Sequence, residues 1–99
     1  MLNVENKKLC WQVLSKYGIE NQRRMVIEEC SELTKAVCKM FREPSNEHYL
    51  NYIEELVDVI VMSQQMLLAE NINMEDVNKM AEAKLVLALG DDNDVCFGG

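Results

Sequence analysis

Apolar residues recur along this chain at intervals of three and four, the spacing of one face of an α-helix. Helix caps, glycines and the single proline divide the pattern into four segments. Gly18 and Gly90 are placed where helices end, Pro44 stops another, and Ser45 or Asn46 can cap the next. We therefore predict helices over about 3–17, 20–42, 46–70 and 74–89.

The predicted helices form a single all-α domain. No segment alternates apolar and polar residues with a period of two between turn signals, so we expect no sheet. Short connections favour antiparallel neighbours, and the expected fold is an antiparallel four-helix bundle over residues 1–90. The third helix is apolar nearly all round, and we expect oligomerisation to cover it and complete the bundle. The acidic residues 91–99 are predicted to be a flexible C-terminal tail.

Helix geometry assigns faces to the second and third helices. The expected core stripe of the second helix is Val26, Cys30, Leu33, Val37 and Met40. A neighbouring stripe, about a quarter-turn away, contains Glu29 and Glu32, which therefore border the core. The expected core stripe of the third helix is Ile53, Val57, Ile60 and Leu67. Glu55 and Asp58 lie on its other side.

The charge balance limits the classes of ligand. Ten basic and seventeen acidic residues give a net charge of −7, which disfavours nucleic acid and anionic membranes. The longest largely apolar stretch, Leu56 to Met62, is interrupted by Asp58 and is too short to cross a bilayer. Scattered cysteines without a CxxC pair, and an N-terminus without a secretory apolar region, predict a cytoplasmic protein. A phosphate site in such an acidic chain needs metal cations or a local basic patch.

Two pairs of acidic residues offer such a cation site. Glu29 and Glu32 on the second helix, and Glu55 and Asp58 on the third, are each spaced three residues apart, so each pair projects from one helix face. Antiparallel packing would turn all four carboxylates toward one volume. Because the surroundings are apolar, unpaired ionised carboxylates there would be costly. Such oxygen ligands suit Mg²⁺ or Mn²⁺, although a single acidic pair is also common on a solvated helix face.

These acidic pairs also carry a resemblance to a known family. The stretches VIEECSELTKAVCK, from Val26 to Lys39, and EELVDVIVM, from Glu54 to Met62, resemble the EExxE…ExxD signature of the MazG-like all-α nucleoside triphosphate pyrophosphohydrolases. The resemblance implies Mg²⁺-dependent cleavage of an NTP or dNTP to the monophosphate and pyrophosphate, by water attack at the α-phosphorus. It also implies a homodimer or homotetramer. The implied metal ligands are Glu29, Glu32, Glu55 and Asp58.

The resemblance gives further residues candidate roles. Glu29 or Glu32 would take the proton from the attacking water, while Glu28 either orients a water or ligand or is a surface residue. Lys39 matches a basic position that often follows EExxE, which makes it a candidate phosphate contact, with Lys84 as a weaker one. Trp11 could stack on a nucleobase, or it could belong to the core.

Two other hypotheses compete with this function. Phosphoribosyl-ATP pyrophosphohydrolase has a related acid pattern and a similar length. A non-catalytic helical module for oligomerisation or binding would use its acidic stripes only for solubility. The non-catalytic hypothesis predicts that Glu55 and Asp58 lie on an exposed face and that Mg²⁺ does not change thermal stability.

Overall fold

The structure of the chain, a computed structural model, describes residues 4–90. It contains the helices α1 (Val4–Tyr17), α2 (Ile19–Arg42), α3 (Asn46–Ala69) and α4 (Met74–Leu89). No strand occurs within residues 4–90, so the all-helical prediction is confirmed for this range. None of these four helices is both long enough and apolar enough to span a membrane. The predicted tail, 91–99, lies outside the described residues.

The helix ends follow from the residues at the connections. Gly18, between α1 and α2, has a φ of 87°, a conformation that residues with a Cβ atom rarely adopt. Ser45 caps α3, because its Oγ accepts a hydrogen bond from the His48 backbone N–H at 3.0 Å. Asn73 caps α4 in the same way, accepting from the Asp76 N–H at 2.8 Å. These local signals explain why the predicted helix boundaries agree with the structure.

The helices do not close into a four-helix bundle within one chain. The main contact joins α2 to α3, and α1 packs against both. No Cα atom of α4 lies within 8 Å of the other three helices. The radius of gyration is 16.6 Å, whereas a compact chain of this length has about 13 Å. The single chain is therefore an elongated three-helix unit from which α4 projects.

The contact face of α2 lies between the two stripes predicted from the sequence. The residues at the centre of this face are buried or half-buried, and they are Gln22, Val26, Glu29, Leu33, Ala36 and Met40. They follow steps of three and four residues along α2, so they form one helix face. Met25 and Val37, at its two edges, are half-buried as well, so four of the five residues of the predicted core stripe are at least half-buried. Cys30, placed in the core stripe by sequence, is exposed, because it lies beyond the edge of this face. Glu29 accordingly lies within the α2–α3 contact rather than beside it.

Most of the predicted core stripe of α3 is wrong for the single chain, in which Leu67 alone of its four residues is half-buried. Ile53, Val57 and Ile60 are 37%, 50% and 40% exposed. The opposite side of α3, with Glu55 and Met62, faces the other helices instead. Because α3 is apolar on both sides, the sequence pattern could not decide which side packs inside the chain.

Candidate metal centre

Three acidic side chains meet where α2 crosses α3. Glu29 comes from α2, and Glu55 and Asp58 come from α3. Each offers a carboxylate oxygen, and these three oxygens all lie within 4.8 Å of one another. The structure thus brings together three of the four metal ligands that the sequence resemblance implied. We call these three residues the carboxylate cluster.

The antiparallel pairing of α2 and α3 builds the cluster. Near the start of α2, the Gln22 Nε2 donates a hydrogen bond to Oε1 of Gln65, near the end of α3, at 2.9 Å. Glu29 follows Gln22 by seven residues, and Asp58 precedes Gln65 by seven. Seven residues make almost two full helix turns, so each acid shares a face with its glutamine. The register fixed by the glutamine pair therefore places Glu29 opposite Asp58.

The cluster raises the pKa of two of its carboxyl groups. For Glu29, partial removal from water is the largest cause of the raised pKa, followed by the charge of Asp58 and a hydrogen bond with it. For Glu55, partial removal from water is again the largest cause of the raised pKa, followed by the hydrogen bond with Asp58 and its charge. The charge of Asp58 therefore adds to the effect of partial removal from water and makes Glu29 and Glu55 harder to ionise.

Glu32 and Glu28 lie at the margin of the cluster. The charge of Glu32 raises the pKa of both Glu29 and Glu55, so it is close enough to act on the cluster. Glu32 itself is exposed, and its Oε1 lies 3.5 Å from Nζ of Lys35, one turn further along α2. Glu28 is also exposed, and its charge contributes to the raised pKa of Glu29. The structure places both residues next to the cluster but outside the group of three.

The cluster is open to solvent on one side. A shallow hollow of about 370 Å³ runs along α3, lined by Ile53, Glu54, Glu55, Val57 and Asp58. Asp58 is exposed, as the non-catalytic hypothesis predicts, whereas Glu55 and Glu29 are half-buried. A small ion could reach the carboxylates from the hollow without displacing the helices.

The donor set of the cluster fits a divalent cation. Ionised carboxylates only accept hydrogen bonds, so three of them within 4.8 Å cannot satisfy one another. On the side open to solvent they can accept from water, and beyond that they share protons or bind a positive charge. Carboxylate oxygens are the ligands that Mg²⁺ and Mn²⁺ prefer, and no imidazole or thiol is part of this group. Glu29, Glu55 and Asp58 could therefore hold such an ion, with Glu32 beside them.

The predicted substrate contacts lie on other surfaces of the chain. Lys39 lines a hollow near the end of α2, about 15 Å along the helix from Glu29, with Lys35, Phe41 and Arg42. Lys84 lines an apolar hollow on α4 with Met80, and Trp11 is 48% exposed on α1. None of the three lines the hollow beside the cluster. Their roles in substrate binding stay predictions.

The sequence interpretation missed a group of buried glutamines. Gln22, Gln64 and Gln65 are 6%, 9% and 4% exposed, which places them among the most buried described side chains. Burying an amide is unfavourable unless it forms hydrogen bonds. One signal was available in the sequence, because Gln64 and Gln65 directly follow Ser63 and the apolar run of α3, Val59 to Met62.

Comparisons with protein-family models, with curated proteins and with solved structures find no match to this chain.

Proposed function

We propose that this protein is a nucleoside triphosphate pyrophosphohydrolase that depends on Mg²⁺ or Mn²⁺. Its substrate is an NTP or dNTP, and its products are the nucleoside monophosphate and pyrophosphate. The observation that carries the proposal is the carboxylate cluster, in which Glu29, Glu55 and Asp58 converge from α2 and α3. These residues also occupy the acidic positions of the EExxE…ExxD motif.

The residues of the cluster have distinct roles in the proposed reaction. Glu29, Glu55 and Asp58 hold the cation, and Glu32 completes the acidic set from its position one turn after Glu29. A bound divalent cation lowers the pKa of a coordinated water and offsets the charge of the phosphates. Glu29 or Glu32 accepts the proton that the attacking water loses. Glu28 orients a water or a ligand from the margin of the cluster.

The proposal requires a cation for an electrostatic reason. The chain carries a net charge of −7, and the cluster adds three carboxylates at one point. A triphosphate approaching this site without metal would meet like charge and be repelled. A cation held by the same carboxylates would supply positive charge to offset that of the phosphates. This dependence separates the proposed enzyme from a non-catalytic acidic module.

The proposed active form is a homo-oligomer, a dimer or a tetramer. The outer side of α3 leaves Ile53, Val57 and Ile60 partly exposed. On α4, large apolar residues are more than half exposed, and they are Met80, Leu85, Val86, Leu87 and Leu89. A soluble chain rarely leaves so much apolar surface uncovered. A second copy supplies matching apolar helices and accounts for the elongated shape of the single chain.

Self-association is tested by the mass of the protein in solution. Leu85→Asp introduces a charge on the apolar side of α4, and we expect it to shift the protein toward the monomer. Asn78→Asp makes the same change in charge at an exposed polar position of the same helix. Sedimentation equilibrium should find an oligomer for the wild type and for Asn78→Asp. A monomeric wild-type protein would overturn this part of the proposal.

The reaction is tested by pyrophosphate release from a panel of canonical and modified NTPs and dNTPs, with Mg²⁺ or with EDTA. Metal-dependent release with a clear preference for one substrate supports the proposal and names that substrate. Phosphoribosyl-ATP is included in the panel. Release from that compound alone would favour phosphoribosyl-ATP pyrophosphohydrolase. Absence of release from every compound, in folded protein, would favour the non-catalytic module.

A further inference from the structure

A hollow of about 640 Å³ lies near the end of α2, away from the carboxylate cluster. Lys35, Lys39 and Arg42 follow one another at steps of four and three residues, so their side chains share one helix face. Three of the ten basic residues of an acidic chain therefore line one hollow. The lining residues are Thr34, Lys35, Cys38, Lys39, Phe41 and Arg42. We call this surface the basic patch.

Most of the charge of the basic patch is not neutralised by the rest of the chain. Nζ of Lys35 lies 3.5 Å from Oε1 of Glu32, whereas Lys39 and Arg42 form no ion pair with any residue between 4 and 90. Phe41 is 76% exposed between them. Cations near the end of a helix interact favourably with its dipole, but this effect gives no reason to expose an aromatic ring. A ligand that carries both negative charge and an apolar side chain matches this combination.

A segment of this chain outside the described residues has that composition. Residues 91–97 read DDNDVCF, in which three aspartates are followed by valine, cysteine and phenylalanine. We call these residues the acidic segment. The distance from Lys35 to Arg42 along α2 is about 10 Å, and an extended chain from Asp91 to Asp94 covers about the same distance. The acidic segment therefore complements the basic patch in the number of charges, in their spacing and in its apolar residues.

The position of α4 favours an acidic segment from a second copy. α4 begins after the end of α3, which lies beside the start of α2 because Gln22 pairs with Gln65. Lys39 lies about 25 Å further along α2 than Gln22. α4 does not return along this distance, since it makes no contact with α2. The chain's own α4 therefore does not lead the acidic segment toward the basic patch, whereas a neighbouring copy is not limited in this way.

We propose that the basic patch binds the acidic segment of a second copy of this chain, an inference that rests on the proposed homo-oligomer. The aspartates pair with Lys35, Lys39 and Arg42, and Phe97 packs against Phe41. This contact joins two copies by charge, in addition to the apolar sides of α3 and α4. It weakens as salt is added, because exposed ion pairs are screened by salt.

Cysteines of the chain allow a direct test of this contact. Cys38 lines the basic patch, and Cys96 belongs to the acidic segment. We call a disulfide between these two residues the patch disulfide. Cys30 is exposed about 12 Å earlier on α2 and does not line the patch, so it serves as the matched control.

The test is oxidation of the full chain at low salt with copper–phenanthroline and dissolved oxygen, which removes one hydrogen from each of two thiols as a disulfide forms. Peptide mass spectrometry then measures which cysteines are joined. We expect the patch disulfide to form in clear excess over Cys30–Cys96, and this excess to decrease as NaCl is added. Equal yields of the two disulfides would overturn the inference.

Two single variants distinguish a second copy from the chain's own segment. Chains with Cys38→Ser and chains with Cys96→Ser are co-expressed with different tags, so that mixed oligomers form. Oxidation should join the two kinds of chain, because each supplies the cysteine that the other lacks. Disulfides found only within single wild-type chains would place the chain's own acidic segment on the basic patch and overturn the inference.

Charge reversal tests the ion pairs of the contact. Lys35→Glu/Arg42→Glu should lower the yield of the patch disulfide about fivefold, because two exposed attractions become repulsions. Adding Asp91→Lys/Asp94→Lys to the same chain should restore the yield, since the charges are then opposite again. Failure of the combined variant to restore the yield would contradict pairing between these charges.

A matched control separates local pairing from overall charge. Lys7→Glu/Lys16→Glu makes the same change in net charge at exposed positions of α1 and should leave the yield of the patch disulfide unchanged. If this control lowers the yield as much as the reversal on α2, the effect comes from net charge and the inference is wrong.

The outcomes for the basic patch and for the proposed function can be distinguished. If an oligomer in sedimentation equilibrium releases pyrophosphate but forms no excess of the patch disulfide, the inference is wrong and the proposed function stands. If the patch disulfide forms between copies but no triphosphate is cleaved, the inference stands and the proposed reaction is wrong. Protection of Cys38 from alkylation by inorganic triphosphate, without a patch disulfide, would show phosphate on the basic patch and overturn the inference.

Discussion

The α2–α3 contact contains two polar pairs with opposite chemistry. The Gln22 side-chain amide donates a hydrogen bond to the side-chain oxygen of Gln65, and both residues are buried. This pair therefore combines a donor with an acceptor. Almost two turns along the same face, Glu29 meets Asp58 with Glu55 beside them, and all three are acceptors when ionised. The fold satisfies the glutamine pair by itself, whereas the carboxylate cluster depends on partners from outside the chain, which are water, protons or a cation. A ligand is therefore expected at the pair that the chain cannot satisfy.

The largest effect is expected from neutralising one member of the cluster. Asp58→Asn removes a charged ligand, and we expect pyrophosphate release to fall by more than about a hundredfold. Helicity measured by circular dichroism should be unchanged, because Asp58 is exposed. The matched control is Glu54→Gln, a neutralisation at an exposed neighbour that also lines the hollow but is not in the cluster. If both variants lose the same fraction of pyrophosphate release, the overall negative charge near the hollow, and not the carboxylate cluster, controls the rate.

Mg²⁺ should stabilise the protein through the cluster. An ion that binds only the folded state adds about 2.7 kcal/mol to the free energy of unfolding at a concentration one hundred times its Kd. Thermal unfolding with Mg²⁺ or with EDTA measures this gain as a rise in Tm. Asp58→Asn should abolish the gain and should also raise the Tm of the metal-free protein, because one repulsive charge is gone. A Tm that does not respond to Mg²⁺ would support the non-catalytic hypothesis.

The glutamine pair should respond to mutation without any dependence on metal. Gln22→Leu leaves the Gln65 amide buried without its partner, which lowers the free energy of unfolding by about 1–3 kcal/mol. The double variant Gln22→Leu/Gln65→Leu should recover much of this loss, because both amides are then gone. Chemical denaturation with EDTA or with Mg²⁺ measures both variants, and Gln12→Leu serves as an exposed control. A larger loss in the double variant would contradict a simple donor–acceptor pair.

The smallest effect is expected from pH in the metal-free protein. The pKa values of Glu29 and Glu55 are raised above the ordinary value of 4.5, so the folded state binds more protons than the unfolded state above that pH. The stability that these protons contribute is present below pH 4.5 and is lost as the pH rises through the raised pKa values. Tm with EDTA should therefore decrease over this interval, and Glu55→Gln should flatten the decrease. If the Tm of Glu55→Gln decreases with pH as steeply as that of the wild type, groups other than Glu55 cause the pH dependence.

The sequence predicted the helices well because their ends depend on local residues. Gly18, Ser45, Asn73 and Gly90 act within one turn of their own position, and each is at a helix end in the structure. The position of Glu29 near Asp58 could also be expected, since acidic pairs at a spacing of three residues meet when helices pack antiparallel. Helix caps and the spacing of acidic residues were therefore sufficient to predict most of the secondary structure and the approach of Glu29 to Asp58.

The packing faces could not be predicted because they depend on long-range contacts. α3 is apolar on two sides, and only the choice of partner decides which of them is covered inside the chain. The Gln22–Gln65 pair joins residues that are 43 positions apart, and neither residue alone indicates the other. The separation of α4 from the other helices also has no local signal. These features arise from pairing between helices and not from the pattern within one helix.

The most direct test of the account is a titration of the protein with Mn²⁺, monitored by the electron paramagnetic resonance signal of the free ion. The wild type should bind the ion in a saturable way, Mg²⁺ should compete, and Glu29→Gln and Asp58→Asn should each weaken binding strongly, while Glu54→Gln should not. Equal affinity in all four proteins, or no saturable binding by the wild type, would contradict a cation site at the carboxylate cluster.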